Sequence, residues 1–163
     1  MDSTPRIRIR LAETGDAEVI ASLLLESFAE YESLYTLKGF AATAITSEQI
    51  VARMGEGPVW VAARDDEIVG TASVVAKAKS LYVRGMAVLP AARGARIGAL
   101  LLTHVEEFAR TEGFSRLFLS TTPFLDRAIR LYEHFGFRRT SGGPHELFGT
   151  PLFTMEKRLA LDE

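Results

Sequence analysis

The first part of the chain changes from an alternating to a helical pattern of apolar positions. Ile7, Ile9 and Leu11 alternate with arginines, which predicts a strand with one cationic face. Apolar residues then recur at helical spacing over residues 19–31, after N-cap chemistry at residues 14–16. A second, shorter helix is predicted from Thr46, which forms a capping box sequence with Gln49. Residues 33–44 show no clean period.

The middle of the chain predicts three antiparallel strands in sequence. Residues 58–64 and 68–76 are rich in β-formers and are separated by a short acidic turn, as in a hairpin. Residues 80–89 form a third such run after a loop with two lysines. Gly85 inside this run has no side chain to pack, so we expect a bulge or a close backbone approach there.

The last part of the chain predicts alternating helices and strands. Apolar spacing indicates a helix from near Gly98 to residue 112, a strand over 115–121 and a helix over 123–135. Strands are predicted over 137–140 and 152–159. The element order is therefore β, α, α, β, β, β, α, β, α, β, β. This order predicts an α/β fold, with a mixed, mostly antiparallel central sheet of about seven strands flanked by about four helices.

Composition narrows the class of protein. The chain has 163 residues and a formal net charge of −2, so we expect one domain over residues 1–163 and no nucleic-acid or anionic-membrane partner. Without cysteine it has no disulfide or thiolate metal site, and we expect no bound metal. No signal sequence or membrane-spanning apolar run is found, which predicts a soluble, cytoplasmic protein without a membrane partner.

The segment MAVLPAARGARIGALLL, residues 86–102, carries the strongest chemical signal. A strand ends at Pro90, a loop of small residues follows, and a helix begins near Gly98. Helix N-termini offer free N–H groups to phosphates, and Arg93 and Arg96 can add charge-assisted hydrogen bonds. The small residues of the loop, Gly94, Ala95, Gly98 and Ala99, allow a ligand to approach the backbone. An ordinary surface loop is the alternative interpretation of the same residues.

Two motifs resolve this choice through a resemblance. The segment RGARIGA resembles the acyl-CoA pyrophosphate loop of the GCN5-related N-acetyltransferases, with Arg93 in the first position and Gly98 in the last. The segment AIRLYEHFGF, residues 128–137, resembles the second signature of that family. The two motifs lie about thirty residues apart with one strand between them. The motifs cover about the last half of the chain, and the element order extends the resemblance to nearly all of it.

The resemblance implies acetyl-CoA as cofactor and assigns residues to its binding. The family's sheet splays open after the bulged strand, and pantetheine pairs with that strand. The backbone of Met86, Ala87 and Val88 would then hold pantetheine, and the Met86 N–H would polarise the thioester carbonyl. Tyr132 matches the tyrosine that protonates the departing thiolate. A buried aromatic side chain that packs the helix on the sheet is the alternative interpretation, and both can hold at once. The pyrophosphate would be wrapped by the loop and helix start, which comprise Arg93, Gly94, Ala95, Arg96, Ile97, Gly98 and Ala99.

Three positions depart from the family pattern. Arg96 stands where the loop commonly has glycine, and a left-handed backbone there would cost of order 1 kcal/mol. Leu125 replaces an asparagine that contacts the cofactor. Tyr82 replaces the glutamate that serves as base in histone-type members. The substrate proton would then leave through water, through Tyr82, or through Glu30, His145 or Glu146. The resemblance also places Glu30 and Tyr31 on the wall of the acceptor site.

These observations predict an N-acyltransferase that moves an acetyl group to a small-molecule or peptide amine by direct attack in a ternary complex. A CoA-binding regulatory module with little or no turnover is the first alternative, because the family's carboxylate is missing at Tyr82. An enzyme that uses the same loop for another phosphorylated ligand is the second. The resemblance leaves a homodimer open.

Overall fold

The computed structural model describes residues 6–160. Within these residues there are five helices, α1 (Ala17–Phe28), α2 (Leu37–Thr43), α3 (Ser47–Met54), α4 (Ile97–Thr111) and α5 (Asp126–His134). The strands are β1 (Ile7–Leu11), β2 (Val59–Arg64), β3 (Glu67–Lys77), β4 (Ser80–Val88), β5 (Arg116–Thr121), β6 (Arg138–Thr140), β7 (Glu146–Leu147), β8 (Thr150–Pro151) and β9 (Phe153–Arg158). None of the helices described is long and apolar enough to cross a bilayer.

Seven strands form one sheet in the order β1-β2-β3-β4-β5-β9-β6. Only β4 and β5 run parallel, and every other neighbouring pair is antiparallel. The mixed, mostly antiparallel sheet predicted from the sequence is confirmed. The structure adds a fifth helix, α2, and a small separate hairpin of β7 and β8.

The helices cover both faces of the sheet. On one face, α4 buries Leu101 and Val105 against sheet residues that include Trp60. On the other face, α1 buries Ile20 and Leu24 in a second cluster that also includes residues of α3 and β2. This arrangement fixes the N-terminus of α4 and the C-terminus of α1 on opposite sides of β4, where the sheet opens.

The two short helices before β2 differ in how strongly the sequence specifies them. Helix α3 begins at the predicted capping box, where the Thr46 hydroxyl accepts from the Gln49 N–H at 3.2 Å. The sequence did not predict helix α2, because the segment has no apolar period. Its first residue, Leu37, is 92% exposed, and the residue that it buries is Gly39. Contacts with the β7–β8 hairpin hold it instead: the Thr36 N–H donates to the Thr150 Oγ1 at 2.9 Å.

The sheet separates between β4 and β5. The two strands pair only over Ser80–Tyr82 and Arg116–Phe118. Beyond Tyr82, β4 stays paired with β3 but not with β5. The register between β3 and β4 shifts near Gly85, whose φ is +62°. This confirms the predicted bulge. Because β5 diverges here, the edge of β4 from Val83 to Val88 faces a cleft instead of a neighbouring strand.

Candidate active site

The open edge of β4 presents backbone groups to the cleft. The Leu89 N–H donates to the Val69 carbonyl at 2.8 Å, on the β3 side. Since successive residues of a strand point to alternate edges, the Ala87 N–H also faces β3, whereas the N–H groups of Met86 and Val88 face the opening. The Val88 carbonyl accepts a 3.1 Å hydrogen bond from the Ser27 hydroxyl. By this alternation the Met86 N–H is directed away from β3, towards the opening.

A cleft of about 650 Å³ lies along this edge, which is within the usual range for ligand sites. It is bounded by β4, the loop before α4 and helix α5. Twelve of the residues singled out from the sequence line it: Tyr31, Met86, Ala87, Val88, Arg93, Gly94, Arg96, Ile97, Gly98, Ala99, Leu125 and Tyr132. Ala95, an exposed residue of the same loop, is not in the lining.

The start of α4 supplies N–H donors to this cleft. The first hydrogen bond within the helix runs from the Leu100 N–H to the Arg96 carbonyl at 3.0 Å. The three preceding N–H groups, at residues 97–99, have no acceptor within the helix, and the dipole of its 15 residues favours an anion there. A Cβ atom at Gly98 would lie 2.8 Å from the Leu131 Cδ2 and 3.6 Å from the Met86 Cε. Glycine therefore keeps the cleft open between α4 and α5.

Arg96 adopts the left-handed conformation that the loop requires, with φ +59° and ψ +27°. This is the position where the family commonly has glycine. The arginine thus retains the loop geometry at a conformational cost of roughly 1 kcal/mol.

We expect Arg96→Gly to raise the free energy of unfolding by up to about 1 kcal/mol, since glycine adopts this conformation without the Cβ clash. Urea denaturation of both proteins measures the change. Arg96→Val serves as the opposite variant and should be destabilised, because a β-branched side chain is strongly disfavoured there. A Gly variant less stable than wild type would show that the arginine side chain holds the loop.

Glu30, which the sequence predicts on the acceptor wall, pairs with Arg93 of the loop before α4. Its Oε1 lies 2.5 Å from the Arg93 Nη2 and 4.0 Å from the Arg127 Nη1. Glu30 lines neither cleft described here. An exposed pair of this kind contributes at most about 1 kcal/mol, so Arg93 can exchange it for a stronger anion.

Tyr132 is the buried residue of α5, with 8% of its surface exposed. Burial raises the pKa of its phenol to about 12, and the nearby Tyr35 adds to the shift. The side chain therefore stays protonated throughout the neutral range and acts as a hydrogen-bond donor. Its ring centroid lies 5.8 Å from that of Phe137, so the side chain also packs α5 against the residue that follows it.

A second cleft of about 250 Å³ lies on the other side of Met86. It shares five lining residues with the first: Phe28, Met86, Leu125, Ala128 and Tyr132. Its remaining wall includes Tyr82, whose ring stacks on Phe118 at a centroid distance of 5.0 Å. Met86 and Tyr132 thus lie in the walls of both clefts.

Apart from Tyr82 and Tyr132, the polar residues of the smaller cleft were not singled out from the sequence. Its polar lining includes Arg53 of α3 and Arg84 of β4. It also includes Tyr35, just before α2, and Thr43, the last residue of α2. Their spacing along the chain gives no signal, because the cleft forms only when these helices pack beside β4. His145 is exposed and lines neither cleft, and Glu146 is also exposed.

Comparison with known proteins identifies the family to which this fold and its two clefts belong. Residues 20–137 match the model described as the acetyltransferase (GNAT) family. The chain belongs to this family, whose cofactor is acetyl-CoA.

Two relatives agree with this assignment, and a solved structure shares the fold. The chain is 33% identical over 129 residues to the uncharacterized N-acetyltransferase YjgM of Escherichia coli, covering 75% of this chain and 76% of that protein. It is 38% identical over 102 residues to the IAA acetyltransferase of Azospirillum brasilense, covering 61% and 66%. The PaiA N-acetyltransferase of Thermoplasma acidophilum, solved in complex with coenzyme A, superposes with a TM-score of 0.82 at 18% identity, covering 94% and 99%.

Proposed function

We propose that this protein transfers an acetyl group from acetyl-CoA to an amine by direct attack within a ternary complex. The observation that carries the proposal is the meeting of two clefts at Met86 and Tyr132. One cleft has the features of a phosphate and pantetheine site, and the other leaves room for an acceptor. A donor and an acceptor bound in the two clefts would meet at the same backbone N–H.

The residues of the larger cleft fit acetyl-CoA. The open edge of β4 offers its backbone to pantetheine, and the free N–H groups at the start of α4 point to where a pyrophosphate would lie. Arg93 and Arg96 supply positive charge at the same place. When bound, acetyl-CoA supplies the acyl group as an activated thioester.

The chain's own groups would act on the thioester in two ways. The Met86 N–H faces the open edge and would donate to the carbonyl oxygen, where negative charge grows during attack. Tyr132 lines both clefts, and its hydroxyl would donate its proton towards the departing sulfur. Its pKa of about 12 keeps this proton in place until it is needed.

In the described part of the chain, the smaller cleft offers no carboxylate to take the proton that the acceptor amine loses. None of the described residues that line this cleft is an aspartate, a glutamate or a histidine. Tyr82 occupies the position of the family's glutamate and does line it. This favours proton loss to water, directly or through Tyr82, over proton transfer to Glu30, His145 or Glu146.

The missing carboxylate also supports a second candidate function, a CoA-binding regulatory module with little turnover. Release of CoA thiol from acetyl-CoA across a broad panel of amines, including amino acids and peptides, separates the two functions. Amine-dependent CoA release with an equal amount of N-acetyl product supports the enzyme. Tight CoA binding with only slow, amine-independent hydrolysis would support the module.

A further inference from the structure

We propose that the acceptor is an amino acid, whose carboxylate is bound by Arg53 and Arg84 in the smaller cleft. This inference rests on the proposed acetyl transfer and names its substrate class. The two guanidinium groups come from the last turn of α3 and from β4, and both residues line the cleft.

Arg53 is a half-buried cation with an unused guanidinium. A Cβ atom at Gly85 would lie 2.8 Å from its Nη1, so the guanidinium rests directly on the β4 bulge. Among residues 6–160, no carboxylate lies within ion-pair distance of it. Burial lowers the pKa of Arg53, and the positive charge of Arg84 lowers it further. An anion in the cleft would relieve both effects.

Arg84 is only partly neutralised. Its Nη2 donates to the Glu56 Oε2 at 2.7 Å, and this glutamate is half exposed at the outer side. Its Nε is buried and has no hydrogen-bond partner among the residues that the structure describes. Arg84 and Arg53 thus bring two cations to a small cleft that no carboxylate of the described residues lines, and Glu56, outside that lining, pairs with Arg84 alone. Guanidinium groups bind carboxylates through paired hydrogen bonds, which makes a carboxylate the matching ligand.

The position of Arg53 also fits the short distance between the two groups of an amino acid. The guanidinium rests on Gly85, and the next residue, Met86, carries the N–H proposed to hold the thioester carbonyl. A carboxylate at Arg53 would therefore place an amine one or two carbons away beside the reacting carbonyl. The amine and carboxylate of a long peptide are too far apart for this geometry, except where an acidic side chain supplies the carboxylate.

Matched substrates test the proposal on the unmodified protein. Each of several amino acids, with the amine at the α, β or γ position, is compared with its carboxamide in CoA release assays. We expect kcat/KM for the acids to exceed that of the amides by about 100-fold, because an amide forfeits the charged hydrogen bonds. Carboxylic acids that lack the amine should inhibit competitively against the amino acid.

Variants assign the effect to Arg53. In Arg53→Gln, kcat/KM for the acids should fall about 100-fold towards the amide value, with KM for acetyl-CoA unchanged. Arg53→Lys, which keeps the charge without the paired donors, should recover part of the loss. Arg64→Gln, at a position that lines neither cleft, is the matched control and should behave as wild type.

The outcomes separate this inference from the proposed function. Equal acetylation of acids and amides, or no inhibition by amine-free carboxylates, would overturn the carboxylate site while leaving acetyl transfer intact. An acceptor found only among amines without any anionic group would do the same. Failure of every amine to accept the acetyl group would instead overturn the proposed function, and this inference with it.

Discussion

The Tyr132→Phe variant is expected to lose about 100- to 1,000-fold in kcat, the usual range for removing a general acid. The phenol is held protonated at the junction of the two clefts, because burial raises its pKa to about 12. Without it, the sulfur must leave as an unprotonated thiolate, which is the poorer leaving group. Steady-state CoA release with a saturating acceptor measures the effect.

Two controls show whether the lost hydroxyl acts chemically. The ring packing of Tyr132 on Phe137 is retained in the variant, so its thermal stability should change little. Its affinity for acetyl-CoA, measured by calorimetry, should also stay within about threefold, since one neutral hydrogen bond is worth about 0.5–1.5 kcal/mol. An unchanged kcat, under conditions where chemistry limits the rate, would remove Tyr132 from the mechanism.

The Arg93→Ala, Arg96→Ala double variant is expected to bind CoA about 100-fold more weakly. A hydrogen bond to a charged group contributes about 1.5–3 kcal/mol, and Arg93 must first give up its ion pair with Glu30, which reduces the net gain. Calorimetric titration of CoA and acetyl-CoA into both proteins gives the ratio directly.

The matched control removes two arginines elsewhere. Arg8→Ala, Arg64→Ala changes the net charge equally at positions that line neither cleft, and its CoA affinity should equal that of wild type. S-acetyl-pantetheine, which has no pyrophosphate, should bind the Arg93, Arg96 variant as well as it binds wild type. Equal CoA affinity in all three proteins would move the pyrophosphate away from this loop. ATP as a competitor shows whether the loop selects CoA over phosphate in general.

Elements that are specified by local contacts could be predicted from the sequence, whereas elements held by distant contacts could not. Strands β2 and β3 have dense β-forming sequences, and α3 begins at a capping box within four residues, so their signals lie within the segments themselves. Helix α2 and the β7–β8 hairpin stabilise each other through Thr36 and Thr150, which lie 114 positions apart. No local pattern records such a contact, and the sequence therefore predicted no helix or strand in either place.

The residues of the candidate site also differ in whether a local sequence motif predicts them. Met86, Arg93 and Tyr132 belong to contiguous motifs, and the structure brings all three to one cleft. Arg53 belongs to no motif and reaches the smaller cleft only because α3 packs beside the β4 bulge. Glu30 stays a predicted acceptor-wall residue, and the structure adds its ion pair with Arg93, which the sequence did not predict.

Residue-resolved amide hydrogen exchange of β4, with and without saturating CoA, tests most directly whether the open edge of this strand is the cofactor site. The account predicts that exchange at Met86 and Val88 slows by at least about tenfold when CoA binds, as new hydrogen bonds form at that edge. Ala87, whose N–H already faces β3, should change little and serves as the internal control. Unchanged exchange at Met86 and Val88, at a CoA concentration that saturates the protein by calorimetry, would contradict the account.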